Sequence, residues 1–348
     1  MLRFSGPKDR QGLCSHFAVG KSVRLFFACR AGLVATNRKR CGRLKPPSES
    51  GSYSMKYRFY TCDVFTDQRF GGNPLAVLPE ADGLTSEQMQ QIAREFNYSE
   101  STFVLPAETG HTNRVRIFTP TTEVPFAGHP NIGTAFTLST FGVLGDASTI
   151  TFEEKGGLVP LTLEQRDGRL WIELKAPQKV NVGATISPER MAEILSLSPE
   201  EIVTGQHLPQ ASSVGLPFLI TELRDLDALQ RARVRIDKLE ELVESQLPAD
   251  VHLYIHSNDD YDIRARMFAP LDGVPEDPAT GSANCALVGL LSSLDSASDG
   301  DHSWRIAQGI EMGRPSLLEA RTQKSNGEVT GVFIGGSCVM VSEGWIEV

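Results

Sequence analysis

The alternation of apolar and polar residues predicts strands at the start of the acidic, folded part of the chain. Residues 57–65 alternate and are rich in aromatic and β-branched side chains, which is typical of a strand. A turn rich in glycine follows at 71–74, and residues 75–78 form a second apolar run. We therefore expect two strands joined by a turn.

The next segment has the spacing of an amphipathic helix. Four apolar side chains fall on one helical face: Met89, Ile92, Ala93 and Phe96. Thr85 and Gln88 have the capping-box spacing that begins a helix. The same patterns predict strands at 102–105 and 114–118, a Gly-bearing turn at 127–130 and an apolar helix over 132–138.

The sequence contains an internal repeat. Five residues recur at a constant offset of 150 positions, with Arg116, Phe118, Pro120, Val124 and Pro125 returning as Arg266, Phe268, Pro270, Val274 and Pro275. A Gly-bearing turn follows each copy, at 127–129 and 280–282, and a helix of small residues follows each turn, at 131–138 and 283–294. Pro74 has a looser counterpart in Pro217. We therefore predict a duplicated α+β fold with a cleft between its halves.

The two Gly-bearing turns indicate where a ligand binds. If both turns begin helices that point into one cleft, backbone N–H groups and the positive ends of two helix dipoles converge there. Such a site suits an anionic small molecule such as a carboxylate. One turn of this kind is more often an ordinary connection between a strand and a helix, so the duplication is what favours a binding site.

Charge divides the chain near Met55. The whole chain has 34 Lys and Arg against 43 Asp and Glu, and residues 1–54 carry 11 of the basic residues but only Asp9 and Glu49 of the acidic ones. The acidic remainder disfavours binding to nucleic acid or to an anionic membrane, so we expect a small-molecule partner.

The composition of the basic leader is typical either of an organelle transit peptide or of an unstructured tail before a start at Met55. Its most apolar stretch is interrupted by basic residues and is too short to anchor it in a membrane.

The cysteine and histidine patterns exclude several chemistries. Residues 55–348 contain only Cys62, Cys285 and Cys338, which are widely spaced and which we expect to be small buried apolar groups. This usage fits a reducing compartment, so we expect a cytoplasmic protein, with targeting to an organelle by the leader as the alternative. The seven histidines show no metal-binding spacing, and no Gly-rich nucleotide motif is present. We expect neither a metal nor a cofactor.

Residues 55–348 carry a series of ordered motifs. They read Asp-Val-Phe at 63–65, Gly-Asn-Pro-Leu-Ala-Val at 72–77, Asn-x-Ser-Glu-Ser at 97–101, Phe-Thr-Pro at 118–120, Pro-Phe-Ala-Gly-His-Pro at 125–130 and Glu-Asp-Pro-Ala-Thr-Gly-Ser-Ala at 276–283. This set resembles the PhzF-like isomerase family of phenazine biosynthesis. The resemblance covers essentially all of residues 55–348 and none of the leader.

The resemblance implies a fold and a domain division. It implies the diaminopimelate-epimerase-like fold, in which two similar domains, each a sheet around a central helix, enclose the active site in a cleft. We assign residues 55–178 and a last strand at 340–348 to the first half, and residues 179–339 to the second. A homodimer is also expected, because members of the family are usually dimeric.

The resemblance also implies a reaction and its residues. Family members move a proton between carbons of a small carboxylated substrate such as trans-2,3-dihydro-3-hydroxyanthranilate, without a cofactor, and their acid/base is the Glu of the Asn-x-Ser-Glu motif. Here that residue is Glu100, which spacing alone would leave as a solvated turn residue. By the same correspondence the catalytic set also includes His129, Asp277 and Ser282, and the substrate-binding set is Asn73, Gly128, Thr280 and Gly281. A proton network among the carboxyl and imidazole groups would keep one carboxyl protonated near neutral pH.

Other functions stay open. Thiol epimerases of the same fold place a cysteine beside each Gly turn, but the matching positions here are Ala127 and Thr280, and Cys285 lies more than a helical turn further on. A thiol pair is therefore disfavoured. An epimerase that pairs Glu100 with a second, non-thiol base is one alternative, and a ligand-binding protein without turnover is another.

Overall fold

The first half of the folded chain is mostly sheet. The computed structural model describes residues 55–348, so the predictions made for the basic leader lie outside the described residues. The elements are β1 (Lys56–Val64), β2 (Asn73–Leu78), α1 (Ser86–Phe96), β3 (Glu100–Leu105), β4 (Asn113–Phe118), β5 (Glu123–Val124), α2 (Gly128–Thr140), β6 (Thr149–Glu154), β7 (Gly157–Arg166) and β8 (Arg169–Lys175). The strands and helices expected in this region are confirmed. Helix α1 begins at the predicted capping box, in which Gln88 N–H donates to Thr85 Oγ1 and Thr85 N–H donates to Gln88 Oε1.

The second half repeats this order with additional helices. Its elements are β9 (Asn181–Thr185), α3 (Pro188–Leu195), β10 (Gln210–Ser213), β11 (Pro217–Glu222), α4 (Leu226–Arg231), α5 (Ile236–Glu244), β12 (Val251–His256), β13 (Ile263–Ala269), β14 (Val274–Asp277), α6 (Gly281–Leu294), β15 (Gly300–Gln308), β16 (Ser316–Ser325) and β17 (Glu328–Glu347). Among the helices of residues 55–348, none is long and apolar enough to cross a membrane.

The strands of residues 55–348 join in one hydrogen-bonded network, and two helices are buried against it. Helix α2 packs on β1, β2, β8 and β17, whereas α6 packs on β10, β11, β16 and β17. Nearly every residue of both helices is buried, which explains why their apolar residues show no single face. The largest apolar cluster includes residues of both helices, such as Ile132 and Leu287.

The pattern of strand pairing recurs along the chain: the paired residues of β3 and β4 are related to those of β12 and β13 by the 150-residue offset, and their partners in β2, β6, β11 and β15 by other offsets. Parallel pairing joins Ala76 to Ser101 (β2–β3) in the first half and Leu219 to Val251 (β11–β12) in the second. Antiparallel pairing then joins Ser101 to Phe118 (β3–β4) and Val251 to Phe268 (β12–β13). A further parallel pairing joins Asn113 to Phe152 (β4–β6) and Ile263 to Ile306 (β13–β15). Because positions 101, 113 and 118 correspond to 251, 263 and 268, the two halves share one register around their buried helices.

The first and last strands of the described chain close the sheet together. Met55 N–H donates to Val348 O at 3.1 Å, and Val348 N–H donates to Met55 O at 2.9 Å. Strand β1 pairs along its whole length with β17 and, on its other edge, with β2. Both edges of β1 therefore find partners within residues 55–348.

A chain that starts at Met55 is expected to fold like the full chain. Because the hydrogen bonds of β1 are made within residues 55–348, removal of the leader should change Tm by less than about 2 °C. Far-UV circular dichroism melts of the two chains, recorded in one buffer, measure this. A fall of about 10 °C on truncation would show that the leader stabilises the fold.

Candidate active site

The first turns of α2 and α6 meet at the two Gly positions singled out by the repeat. A Cβ placed on Gly128 would lie 3.0 Å from Gly281 Cα and 3.2 Å from Ser282 N, and a Cβ placed on Gly281 would lie 3.3 Å from Gly128 Cα. Neither glycine has a φ in the left-handed region, so the requirement for glycine comes from the close approach of two backbones. The N-termini of two buried helices therefore converge on one place.

A cavity of about 90 Å³ opens beside these helix starts. Seven of the eight predicted site residues line it, and only Asn73 does not. Apolar side chains complete the wall, among them Phe126, Leu216, Phe218 and Met267. The cavity thus has a polar part made by both halves and an apolar part that suits the carbon skeleton of a small ligand.

Asn73 lies behind the cavity wall and joins the two halves of the site. Its side-chain amide donates to Asp277 Oδ1 at 2.9 Å and to Ala279 O at 3.0 Å, and it lies 3.2 Å from His129 Nδ1. Ser99 Oγ donates to Asn73 Oδ1 at 3.0 Å. We expected Asn73 among the substrate-binding residues, but its side chain is fully buried and its polar atoms are engaged by the protein. The structure therefore places it where it orients Asp277 and His129.

His129 is a neutral imidazole directed at Glu100. Burial lowers the pKa of His129 to about 3, so the ring is uncharged at neutral pH. Nδ1 lies 3.2 Å from the Asn73 amide nitrogen, and Nε2 lies 3.6 Å from Glu100 Oε2. That distance exceeds a hydrogen bond, and neither atom has another partner among residues 55–348. Two polar atoms at the cavity wall are thus available to a ligand.

Glu100 and Asp277 form a coupled pair of carboxyl groups. Burial raises the pKa of Glu100 to about 8, and the negative charge of Asp277 acts in the same direction. Burial also raises the pKa of Asp277, although the Thr280 hydroxyl and the Asn73 amide stabilise its carboxylate. Since two adjacent carboxyls in a buried site resist double ionisation, the pair retains a proton at neutral pH.

The sequence analysis missed the residues that hold Asp277 and Thr280 in place. Gln308, at the end of β15, donates from Nε2 to Asp277 O at 2.8 Å and to Thr280 Oγ1 at 3.0 Å. Thr280 Oγ1 in turn donates to Asp277 Oδ2 at 2.6 Å, and Asn284 Nδ2 donates to Gln308 Oε1 at 2.7 Å. The available signal was a polar residue closing the apolar run 306–307. Four further polar residues of the cavity were also missed: Ser99, Thr119, Asp250 and Asp272.

The cysteines are not placed for chemistry. Cys62 and Cys285 are buried, as expected, whereas Cys338 is only partly buried, so that part of the prediction is wrong. Burial raises the pKa of all three thiols, so none supplies a thiolate at neutral pH. Ala127 and Thr280 occupy the positions beside the Gly turns, where thiol epimerases of this fold would carry cysteine. Within residues 55–348 no group of three or more His, Cys, Asp or Glu side chains is placed to hold a metal ion.

Comparison with known proteins assigns the chain to a family. The model of the family described as "Phenazine biosynthesis-like protein" matches residues 62–344. The chain belongs to this family. A protein named trans-2,3-dihydro-3-hydroxyanthranilate isomerase from Pseudomonas aeruginosa is 35% identical over 83% of this chain and 98% of its own length. A protein named as an uncharacterized isomerase from Mesorhizobium japonicum is 37% identical over 81% of this chain and 96% of its own.

Solved structures of this family, and of a probable proline racemase, share the fold. The phenazine biosynthesis protein of the PhzF family from Bacillus anthracis superposes with a TM-score of 0.78 at 24% identity, covering 84% of this chain and all of the other. A protein described as a predicted epimerase from Pseudomonas aeruginosa has a TM-score of 0.68 at 30% identity, with 83% and 99% covered. A probable proline racemase from Agrobacterium radiobacter has a TM-score of 0.58 at 16% identity, with 83% and 92% covered. The epimerase-like fold with its mixed sheet is thereby confirmed, and the family is one of isomerases.

Proposed function

We propose that this protein is a cofactor-independent isomerase that moves a proton between carbons of a small carboxylated metabolite, with Glu100 as the general acid/base. The observation that carries the proposal is the position of the Glu100 carboxyl. It lines the cavity, its Oε2 has no hydrogen-bond partner among the described residues, and its raised pKa lets it both accept and release a proton near neutral pH. The names of the relatives support a dihydrohydroxyanthranilate-like substrate.

The converging helix starts suggest how such a substrate is held. We propose that its carboxylate accepts hydrogen bonds from backbone N–H groups beside Gly128 and Gly281, with the Ser282 hydroxyl nearby, so that no Arg or Lys is required. Charge that develops on the carboxylate side of the substrate, as a carbon loses its proton, would be stabilised by the same dipoles. His129 would donate from Nε2 and Asp277 would share its proton with Glu100.

The fold suggests why the cavity lies where it does. We propose that the two halves arose as a duplicated unit and that the cavity is the cleft between them, with residues 55–178 and 340–348 on one side and residues 179–339 on the other. The recurring strand register and the contact between Gly128 and Gly281 support this division. A homodimer of such units is part of the same proposal.

Exchange with heavy water tests the proposed function. The protein is incubated with trans-2,3-dihydro-3-hydroxyanthranilate in D₂O, and NMR follows deuterium in the recovered acid and the product. Turnover with deuterium incorporation is expected. A ligand-binding protein without catalysis would instead shift the substrate resonances and leave every carbon-bound hydrogen in place, which would contradict the proposal.

The pH dependence of kcat/KM is expected to follow the Glu100–Asp277 pair. A base must be ionised to accept a proton, so the rate should rise about tenfold per pH unit up to about pH 8 and then level off. Because the charge of Asp277 raises the pKa of Glu100, Asp277→Asn should move this rise to lower pH, apart from any loss of rate. Initial rates between pH 5.5 and 9.5 measure both effects. A rise centred near pH 4 to 5 in the unaltered protein would contradict the role of Glu100.

A further inference from the structure

Glu154 in the first half occupies the place that Gln308 occupies in the second. Strand β6 pairs in parallel with β4, and β15 pairs in parallel with β13, in the same register. In each case the residue just before the one in question is paired with a repeat-related arginine, Arg114 or Arg264. The next residue is Glu154 in one strand and Gln308 in the other. The two side chains therefore approach the two buried helices from equivalent places.

Gln308 shows what a side chain does at this place. Its Oε1 accepts from Thr280 N–H at 3.2 Å and from Asn284 Nδ2 at 2.7 Å. Asn284 is the fourth residue of α6, and its Nδ2 also donates to the carbonyl of Thr280, just before the helix, at 3.0 Å. Gln308 therefore holds the first turn of α6, from which Gly281 and Ser282 line the cavity.

The first turn of α2 has the same asparagine but lacks its partners. Asn131, the fourth residue of α2, donates from Nδ2 to the Ala127 carbonyl at 2.9 Å, as Asn284 does to Thr280 in α6. Asn131 Oδ1 is buried and has no hydrogen-bond partner among residues 55–348. Both carboxyl oxygens of Glu154 are likewise buried without a partner in this part of the chain. Because unpaired buried polar atoms are costly, these three atoms indicate a hydrogen bond that needs a proton on the carboxyl.

The Glu154 carboxyl has the Asn131 amide as its polar neighbour. Burial raises the pKa of Glu154 to about 8, and the Asn131 amide acts in the opposite direction. A carboxyl with this pKa carries its proton at neutral pH. Its O–H group is the donor that Asn131 Oδ1 lacks.

The charged groups around Glu154 are paired with one another or exposed. Arg114 pairs with Glu108, Arg116 pairs with Glu123, and Glu153 accepts from the backbone N–H groups of residues 108 and 109. Lys155 is exposed, and on the α2 side His129 is neutral. Among the described residues no cation forms an ion pair with Glu154, which favours its neutral form. These charged residues line the cavity beside it: Glu108, Arg114, Arg116, Glu123, Glu153 and Lys155.

The turn after Glu154 contacts the segment that leads into α2. Gly156 N–H donates to Pro125 O at 2.8 Å, and a Cβ placed on Gly156 would lie 3.3 Å from Phe126 Cβ. Phe126 itself lines the cavity of the candidate active site, two residues before Gly128. The end of β6 is therefore joined to the start of α2 through the backbone as well.

We propose that Glu154 is a positioning residue of the site, whose carboxylic acid donates a hydrogen bond to Asn131 and fixes the first turn of α2 against that of α6. The proposal rests on the carboxylate-binding role proposed above for these helix starts. Glu154 touches no ligand, and its effect reaches the substrate through the backbone of residues 127–129. The second half achieves the same with the amide of Gln308.

Replacement by glutamine and by leucine tests the proposal. Glutamine keeps a donor, so Glu154→Gln should keep the affinity for anthranilate within about twofold. Leucine has a similar size but no donor, so Glu154→Leu should raise Kd about tenfold and lower kcat by less than about threefold, because Glu100 and Asp277 belong to other elements. The control Glu95→Leu, at an exposed position of α1, should bind normally. Equal losses in the glutamine and leucine variants, or unchanged binding in Glu154→Leu, would overturn the proposal.

Thermal melts across pH give a readout that needs no substrate. The pKa of Glu154 is about 8 in the folded protein against 4.5 for an ordinary glutamate, so the folded state loses stability relative to Glu154→Gln as pH rises between these values. The gain in Tm of Glu154→Gln over the unaltered protein should be at least about 3 °C larger at pH 8.5 than at pH 5. Glu95→Gln should show no such trend. A gain that does not depend on pH would overturn the proposal, whereas failure of the proposed function would appear as an unaltered protein that binds no anthranilate.

Discussion

Glu100→Gln is expected to lower turnover by about 10²–10⁴-fold or more and to leave ligand binding nearly unchanged. The amide has the shape of the carboxyl but cannot accept a proton from carbon. Because the pKa of Glu100 is raised to about 8, the free protein carries a neutral group there at pH 7, and glutamine reproduces that charge. Turnover is measured by deuterium incorporation, and affinity for anthranilate by titration calorimetry.

Two features make this variant informative. The matched control is Glu95→Gln on the preceding helix, an exposed side chain whose replacement should change neither quantity. Melting of Glu100→Gln should match that of the unaltered protein near pH 7, since a neutral side chain replaces a neutral one. Retention of the original turnover would rule out Glu100 as the acid/base, and a loss of anthranilate affinity beyond about tenfold would mean that the carboxyl group also contributes to binding.

Gly128→Val is expected to abolish anthranilate binding and to lower Tm by about 2–10 °C. The first side-chain carbon would stand 3.0 Å from Gly281 Cα and 3.2 Å from Ser282 N, and neither backbone atom can yield without moving α6. The two helix starts must therefore separate, which removes the N–H groups from their positions around a carboxylate. Calorimetry measures the affinity, and a far-UV melt of the same sample measures Tm.

The contact geometry ranks a series of glycine variants. Gly281→Val should also lose affinity, because its Cβ would lie 3.3 Å from Gly128 Cα, and Gly128→Ala should have a smaller effect than Gly128→Val. Gly205→Ala is the control, since its added Cβ meets no atom within 4 Å and its φ lies outside the left-handed region. If both valine variants fold and bind anthranilate as tightly as before, the carboxylate is held elsewhere.

The helices and strands predicted correctly from local patterns are those that depend on neighbouring residues. Helix α1 follows from a four-residue cap and an apolar face, and β1 follows from alternation over nine residues. The site required more, because the hydrogen bond between Asn73 and Asp277 joins residues 204 positions apart. Only the fold shows that the Asn73 amide serves the protein and lies behind the cavity.

The resemblance implied that one carboxyl of the site stays protonated near neutral pH, but the sequence did not show which carboxyl or what raises its pKa. The raised pKa of Glu100 comes from burial by distant segments and from the charge of Asp277 in the other half. The role of Gln308 also depends on β15 lying parallel to β13, a pairing that no local pattern encodes. Asp250, in contrast, could have been found from the sequence, because the 150-residue offset that relates the two repeated motifs also relates Glu100 to Asp250.

The long strand β17 sets the order in which this chain can fold during synthesis. Its 20 residues pair with β16, with β8 and, over its second part, with the whole of β1. One edge of β1 therefore has no native partner until the final residues leave the ribosome, and this contact spans nearly the entire folded chain. Until then one edge of β1 stays unpaired, and an unpaired strand edge favours pairing with other chains.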